Sequence, residues 1–228
     1  MARLARLYAP NTSQLVQAKL LPQVIALPEM QTLKPQLIQW LEQASIRYGL
    51  AVHAWSITQD SIYLLSTPSE QKSVSQVVQA LGRYLASSLK QGAVFSSRYR
   101  SCLVEKGDYL LASMMWLEIY LHQQEGVDNP ELLPWSSAGW HMGRSFKDFP
   151  WMRDHEAYWL LGNTPFERQA RYRELCEDGL SRTMLDKIQA ALQGQWALGG
   201  AEFIQEMGEV ASRRVVPGQR GRPRKEVK

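Results

Sequence analysis

The stretch from Leu50 to Leu89 constrains this chain most. Two β-rich runs, LAVHAWSI (Leu50–Ile57) and SIYLLST (residues 61–67), are separated by Thr58, Gln59 and Asp60 alone. A connection that short allows an antiparallel hairpin and no crossover. Directly after it, Val74, Val77, Val78, Leu81, Leu85 and Leu89 form one apolar stripe at helical spacing, with Ser69 placed to cap the helix. A hairpin running into an amphipathic helix buries both apolar faces only by stacking one layer on the other.

The flanking sequence extends this pattern. Residues 13–20 (SQLVQAKL) read as a strand, followed by a connection containing Pro22, Pro28 and Pro35. Over residues 33–48, Leu37, Trp40, Leu41, Ala44 and Tyr48 predict a helix that stops at Gly49. SRYRSCLV (residues 97–104) reads as a fourth strand and residues 108–122 as a further helix. The order predicts an α+β fold, a ferredoxin-like antiparallel sheet with helices on one face. We assign residues 1–128 to this domain and 129–155, rich in Trp, Pro and Gly, to an ordered connector. Residues 156–212 form a helical appendage, with helices from Thr164-Pro165 and near 181–192 and 200–211; residues 213–228 form a basic, disordered tail.

Charge separates the tail from the rest. Residues 213–228 carry seven basic side chains against Glu226, so a chain of net charge +4 leaves residues 1–212 at −2. Phosphate neutralisation dominates DNA affinity, so the body needs a local basic patch if it grips DNA at all. No apolar run reaches the length of a membrane span, and no apolar segment follows Arg3 and Arg6 as in a secretory signal. The two cysteines, Cys102 and Cys176, fit a reducing cytoplasm and supply no cysteine-based zinc site.

Several collinear stretches resemble REP-associated tyrosine transposases: MARLARL at the start, RYGLAVHAW (47–55), LLSTP (64–68), SLKQGAVFSSRYRSCLV (88–104), YLLASM (109–114), PWSS (134–137), LGNTPFERQARYREL (161–175), ALGGAEF (197–203) and the closing GRPRK. The resemblance implies an HUH nuclease fold that binds hairpin DNA and cuts one strand. That chemistry uses two strand histidines flanking a hydrophobic residue, a polar helix ligand for a divalent metal, and a helix tyrosine that forms a phosphotyrosine link.

At the matching positions this sequence differs. Counting back from LLSTP, the histidine pair falls on Ser61 and Tyr63; counting from YLLA, the nucleophile falls on Trp116 and the helix ligand on Tyr120. An indole has no oxygen with which to attack phosphorus. Met114 and Glu118 keep the local pattern, which argues against a register error. The expectation is therefore a pseudo-transposase with no cofactor, its divalent-metal site lost. Tyr120 as a relocated nucleophile and His53 as a replacement ligand are the alternatives to that loss. The remaining histidines, His122, His141 and His155, lack ligand spacing and are expected on surfaces or in loops.

Candidate DNA contacts remain. Arg98 and Arg100 alternate with Tyr99, placing both guanidinium groups on one side of a strand. Arg3, Arg6 and Lys19 extend that surface, and Arg83 points either way. In the tail, Arg220-Gly221-Arg222-Pro223 is the core of an AT-hook suited to the minor groove of A/T-rich duplex, with Arg224 and Lys225 adding charge. The acidic last helix (Glu202, Glu206, Glu209) argues against a helix-turn-helix. The expected partner is DNA, hairpin or single-stranded, bound in the cytoplasm or on the nucleoid. The rival readings are a protein-interaction module using residues 134–159 and an active nuclease with relocated residues. Oligomeric state is not legible.

Overall fold

The computed structural model describes residues 5–145, 149–211 and 213–218 of the chain. Its centre is a five-stranded sheet in the order β2-β3-β1-β4-β5. These strands are β1 (Ser13–Lys19), β2 (Leu50–Ile57), β3 (Ser61–Pro68), β4 (Arg100–Val104) and β5 (Ala197–Leu198). The expected hairpin pairs β2 with β3, while β1 lies antiparallel between β3 and β4. The two-residue β5 adds a parallel edge to β4.

One face of the sheet packs on α2 (Pro28–Arg47) and α3 (Ser73–Leu89). Val16, Ile62 and Leu64 meet Leu37, Leu41, Val77 and Leu81 there, and Phe149, Trp151 and Met152 from the Trp-rich segment complete that core. The other face is covered too, contrary to the expectation of helices on one side. Leu15, Ala54, Tyr63, Leu65, Cys102 and Val104 pack against residues of α4 (Asp108–Met115), α8 (Pro165–Asp178) and α9 (Arg182–Gly194). A second apolar row on the same strands requires such a cover, because each strand is buried on both faces. The α8 helix opens as the sequence predicts: Thr164 and Glu167 form a reciprocal capping box, with Pro165 in the first turn.

Several boundaries move for identifiable reasons. The helix expected over 33–48 begins at Pro28 and contains Pro35. Proline costs no hydrogen bond in a first turn, and Pro35 and Gln31 face solvent, where water can satisfy the carbonyl that Pro35 leaves open. Ser69 does not cap α3, which starts at Ser73 after Lys72; the Ser73 hydroxyl instead accepts from the Glu70 amide at 3.2 Å. β4 begins at Arg100, not residue 97, so Arg98 precedes the ladder. Gly49 ends α2 at φ +61°, and a Cβ there would collide with the Ser69 hydroxyl. At the far end, Val215 is buried and its carbonyl accepts from the Ala197 amide at 2.9 Å, so the chain is still part of the fold beyond residue 213.

Candidate nucleic-acid interface and the residues behind it

The register places one row of polar side chains across the second face. Arg100 is opposite Gln17, Gln17 opposite Tyr63, and Tyr63 opposite Ser56, one residue from each of four strands. Directly paired residues point to the same side, so the row is continuous. At its middle, the Gln17 amide donates to the Tyr63 hydroxyl at 2.8 Å and to the Ser61 hydroxyl at 3.2 Å. Ser61 donates onward to Asp60 at 2.8 Å, and Asp60 holds Lys19 at 2.9 Å.

Trp116 closes this row from above. It opens a single π-helical turn, Trp116–Tyr120, between α4 and α5 (Leu121–Gln124), and its ring meets Tyr63 edge to face with centroids 5.5 Å apart. Both rings are buried. Burial pushes the Tyr63 phenol up to about 12, far from an ionised nucleophile. The residues present do not fit a divalent metal: a phenol and a hydroxyl stand where the resemblance implies imidazoles, and Gln17 already bridges them. Among the described residues no group of three or more His, Cys, Asp or Glu side chains is arranged to hold a metal ion. Tyr120 is half-buried and lies away from the row. It lines a cavity of about 40 Å³ with Met115, Ile119, Cys176 and Leu180, and its hydroxyl accepts from Gln124 at 3.3 Å.

The π turn also carries Glu118, whose only part in the sequence pattern is to fix the register. Glu118 is fully buried and collects three donors. Ser137 donates to its Oε1, His141 Nδ1 stands 2.7 Å from the same oxygen, and the Tyr172 hydroxyl donates to Oε2 at 2.7 Å. Asp154 lies 3.7 Å from the other His141 nitrogen. Burial opposes protonation of His141, but Glu118 and Asp154 outweigh it and push its pKa up to about 9. The network therefore ties the π turn, α6 (Ala138–His141) and α8 together. A lone glutamate and a lone histidine carry no local signal for such a cluster, which exists only in three dimensions.

Two of the remaining histidines depart from expectation, while His155 precedes α7 (Glu156–Trp159) at its N-cap. His122 and His141 are buried, not in surface loops; each sits where a polar group needed a partner under the helices. His122 Nε2 lies 2.7 Å from Ser56 Oγ, extending the polar row by one residue. Burial, aided by the Lys34 ammonium, lowers its pKa to about 4. His53 is the extra residue of a β-bulge between Val52 and Ala54. Its Nδ1 donates to the Arg153 carbonyl at 2.5 Å and its Nε2 lies 2.8 Å from Thr67 Oγ1, so both ring nitrogens are engaged within the protein. Burial lowers its pKa to about 4.

The basic candidates separate. Arg98 and Arg100 are exposed and Tyr99 is buried, as the alternation implies. The Arg6 guanidinium covers the Tyr99 ring at 3.6 Å. Lys19 is paired with Asp60, and Arg83 lies on α3, across the sheet from Arg100. Arg3, Arg220, Arg222, Arg224 and Lys225 lie outside the described residues. No helix among the described residues is long and apolar enough to cross a membrane.

No family model matches the chain. No curated protein matches it either. Solved structures do. A REP-associated tyrosine transposase bound to a REP hairpin aligns with 69% of this chain and 93% of its own, at a TM-score of 0.52 and 12% identity. A protein of Deinococcus radiodurans R1 assigned as a transposase aligns with 57% of this chain and 98% of its own, at 17% identity and a TM-score of 0.36. The first likeness spans about two thirds of the chain while sharing few residues, and it establishes that this chain has the HUH-transposase-like α+β fold.

Proposed function

We propose that this protein binds hairpin or single-stranded DNA on a transposase fold and does not cut it through the family's site. The observation carrying this reading is the Tyr63–Trp116 contact on the Gln17-bridged row. Where metal ligands and a nucleophile would face a phosphate, two buried rings face each other. Arg100 at the open end of the row, with Arg98 beside it, supplies the positive charge for backbone phosphates. The transposase of similar fold is bound to a hairpin, which favours a structured DNA over duplex. The Arg220–Lys225 segment adds a second, weak contact to A/T-rich duplex, and tethering raises the joint affinity.

The test is competition between a hairpin panel and unstructured strands of equal length for the full chain, at moderate salt. Hairpin preference supports the reading. Equal, steeply salt-sensitive binding of every DNA would reduce it to attraction by the tail.

A second reading, a protein-interaction module, draws on Trp159, Leu160 and Phe166, exposed apolar residues at the end of α7 (Glu156–Trp159), just after it, and at the start of α8. Under that reading DNA competition shows no preference, and Phe166→Ser removes a protein partner without affecting DNA.

A further inference from the structure

Beyond Ser56 and His122 the polar row opens into a cavity of about 400 Å³. Its walls are Lys34 and Gln31 of α2, Ile57 to Gln59 at the hairpin turn, His122 and Glu125, and the Ile25, Val127, Leu133 and Trp135 side chains. The segment before α6 frames the cavity: the Trp135 carbonyl accepts from the Ile57 amide at 2.8 Å. Apolar walls with a few convergent polar groups, at this volume, are the usual make-up of a small-ligand site.

Lys34 is the unusual member. The residue is 9% exposed, and its ammonium lies 5.4 Å from the Trp135 ring centroid and bonds no other described residue. The Lys34 stem is buried while its ammonium reaches the cavity, where an acceptor would offset the partial loss of solvent. Burial lowers its pKa, and Glu125 opposes that without bonding it. Glu125 keeps one side committed: its Oε1 accepts from the Gln59 amide at 2.8 Å, and its Oε2 lies 3.7 Å from His122 Nδ1. The cavity thus offers a cation seeking an acceptor, a carboxylate, a neutral imidazole and an indole wall. A bare phosphate fits poorly, because Glu125 would repel it. An unstacked guanine fits: O6 and N7 are acceptors for an ammonium, N1–H and the 2-amino group are donors for a carboxylate, and the ring is flat and apolar against Trp135. Adenine presents an amino group where guanine presents O6, and so meets the ammonium with a donor.

We propose that the Lys34–Glu125–Trp135 cavity is a pocket for a single unpaired guanine of the bound DNA. This rests on the DNA-binding reading above and specifies it: phosphates at Arg98 and Arg100, and one base of the same DNA turned out into the cavity. Unstacking is cheapest in a loop or at a mismatch, which gives hairpins an advantage over paired DNA.

Calorimetric titration of the full chain with dGMP and dAMP tests the pocket apart from the rest of the DNA. The expected result is a preference for dGMP of about tenfold, the equivalent of one discriminating base contact. Lys34→Met, which keeps the buried stem, and Glu125→Gln each reduce it to less than about twofold. A parallel scan replaces each loop guanine of a bound hairpin by an abasic site, where one position weakens wild-type binding and leaves Lys34→Met unaffected. Equal or absent mononucleotide binding, or a flat scan with hairpin binding intact, overturns the pocket and leaves the DNA-binding reading standing. Loss of all hairpin binding with the dGMP preference retained does the reverse.

Discussion

Tyr63 and Trp116 meet edge to face, centroids 5.5 Å apart, at the point where the resemblance puts a metal-binding histidine below a nucleophilic tyrosine. Edge-to-face ring pairs contribute about 0.5–1.5 kcal/mol beyond their burial. Restoring the histidines by Ser61→His with Tyr63→His is therefore expected to leave hairpin DNA uncut, since Trp116 still offers no attacking oxygen. Nicking by that double variant would show that the nucleophile has been misplaced.

The Glu118–His141 pair is expected to be structural and expensive to break. Glu118→Gln leaves a buried cation without its partner, and about 3–5 kcal/mol of stability should go in urea unfolding. The double change Glu118→Gln with His141→Gln is expected to cost less than the sum of the two single changes. Additive losses would mean the two residues are not coupled.

Stability should peak near pH 6.5. His141, raised from 6.5 to about 9, stabilises fully below pH 6.5 and loses that contribution as pH climbs toward 9. His53 and His122 are lowered from 6.5 to about 4, so the unfolded chain takes up their protons first and stability falls from pH 6.5 down toward 4. Unfolding midpoints measured across this range check the shape. In His141→Gln the decline between 6.5 and 9 should flatten, and a decline unchanged in that variant would contradict the assignment.

Arg98→Ala with Arg100→Ala is expected to weaken hairpin binding and to lower the salt slope by about two, one for each lost phosphate contact. The comparison is made in a full-length background with Arg220, Arg222, Arg224 and Lys225 changed to Gln, so that the tail does not mask the loss. Unchanged affinity and slope would remove these two arginines from the interface.

Gly49→Ala is expected to destabilise by about 1–3 kcal/mol through its left-handed backbone, with Ser69 adding a clash. A thermal midpoint equal to wild type would show that the α2–β2 turn relaxes freely.

The parts of this fold with a local period were legible in the sequence. The β2–β3 hairpin, the α3 stripe through Val74, Leu81 and Leu89, and the Thr164-Pro165 start of α8 each announce themselves within a few residues. The cover on the second face was not, because Tyr172, Ile188 and Leu192 read as an ordinary amphipathic helix surface until the sheet meets them. The site divides in the same way. Ser61, Tyr63 and Trp116 are named by counting from local motifs, and the structure adds the ring contact between the last two. Glu118 with His141, and Lys34 with Glu125 and Trp135, join residues about 20 to 100 positions apart, and a pairwise cluster of that kind leaves no periodic trace.

The most direct test of the central claim is to saturate the full chain with end-labelled hairpin DNA in Mg²⁺ or Mn²⁺, isolate the complex, and run its DNA on a denaturing gel. The account predicts a recovered complex whose DNA is full length and free of attached protein. Shortened or protein-linked DNA in that complex would contradict it.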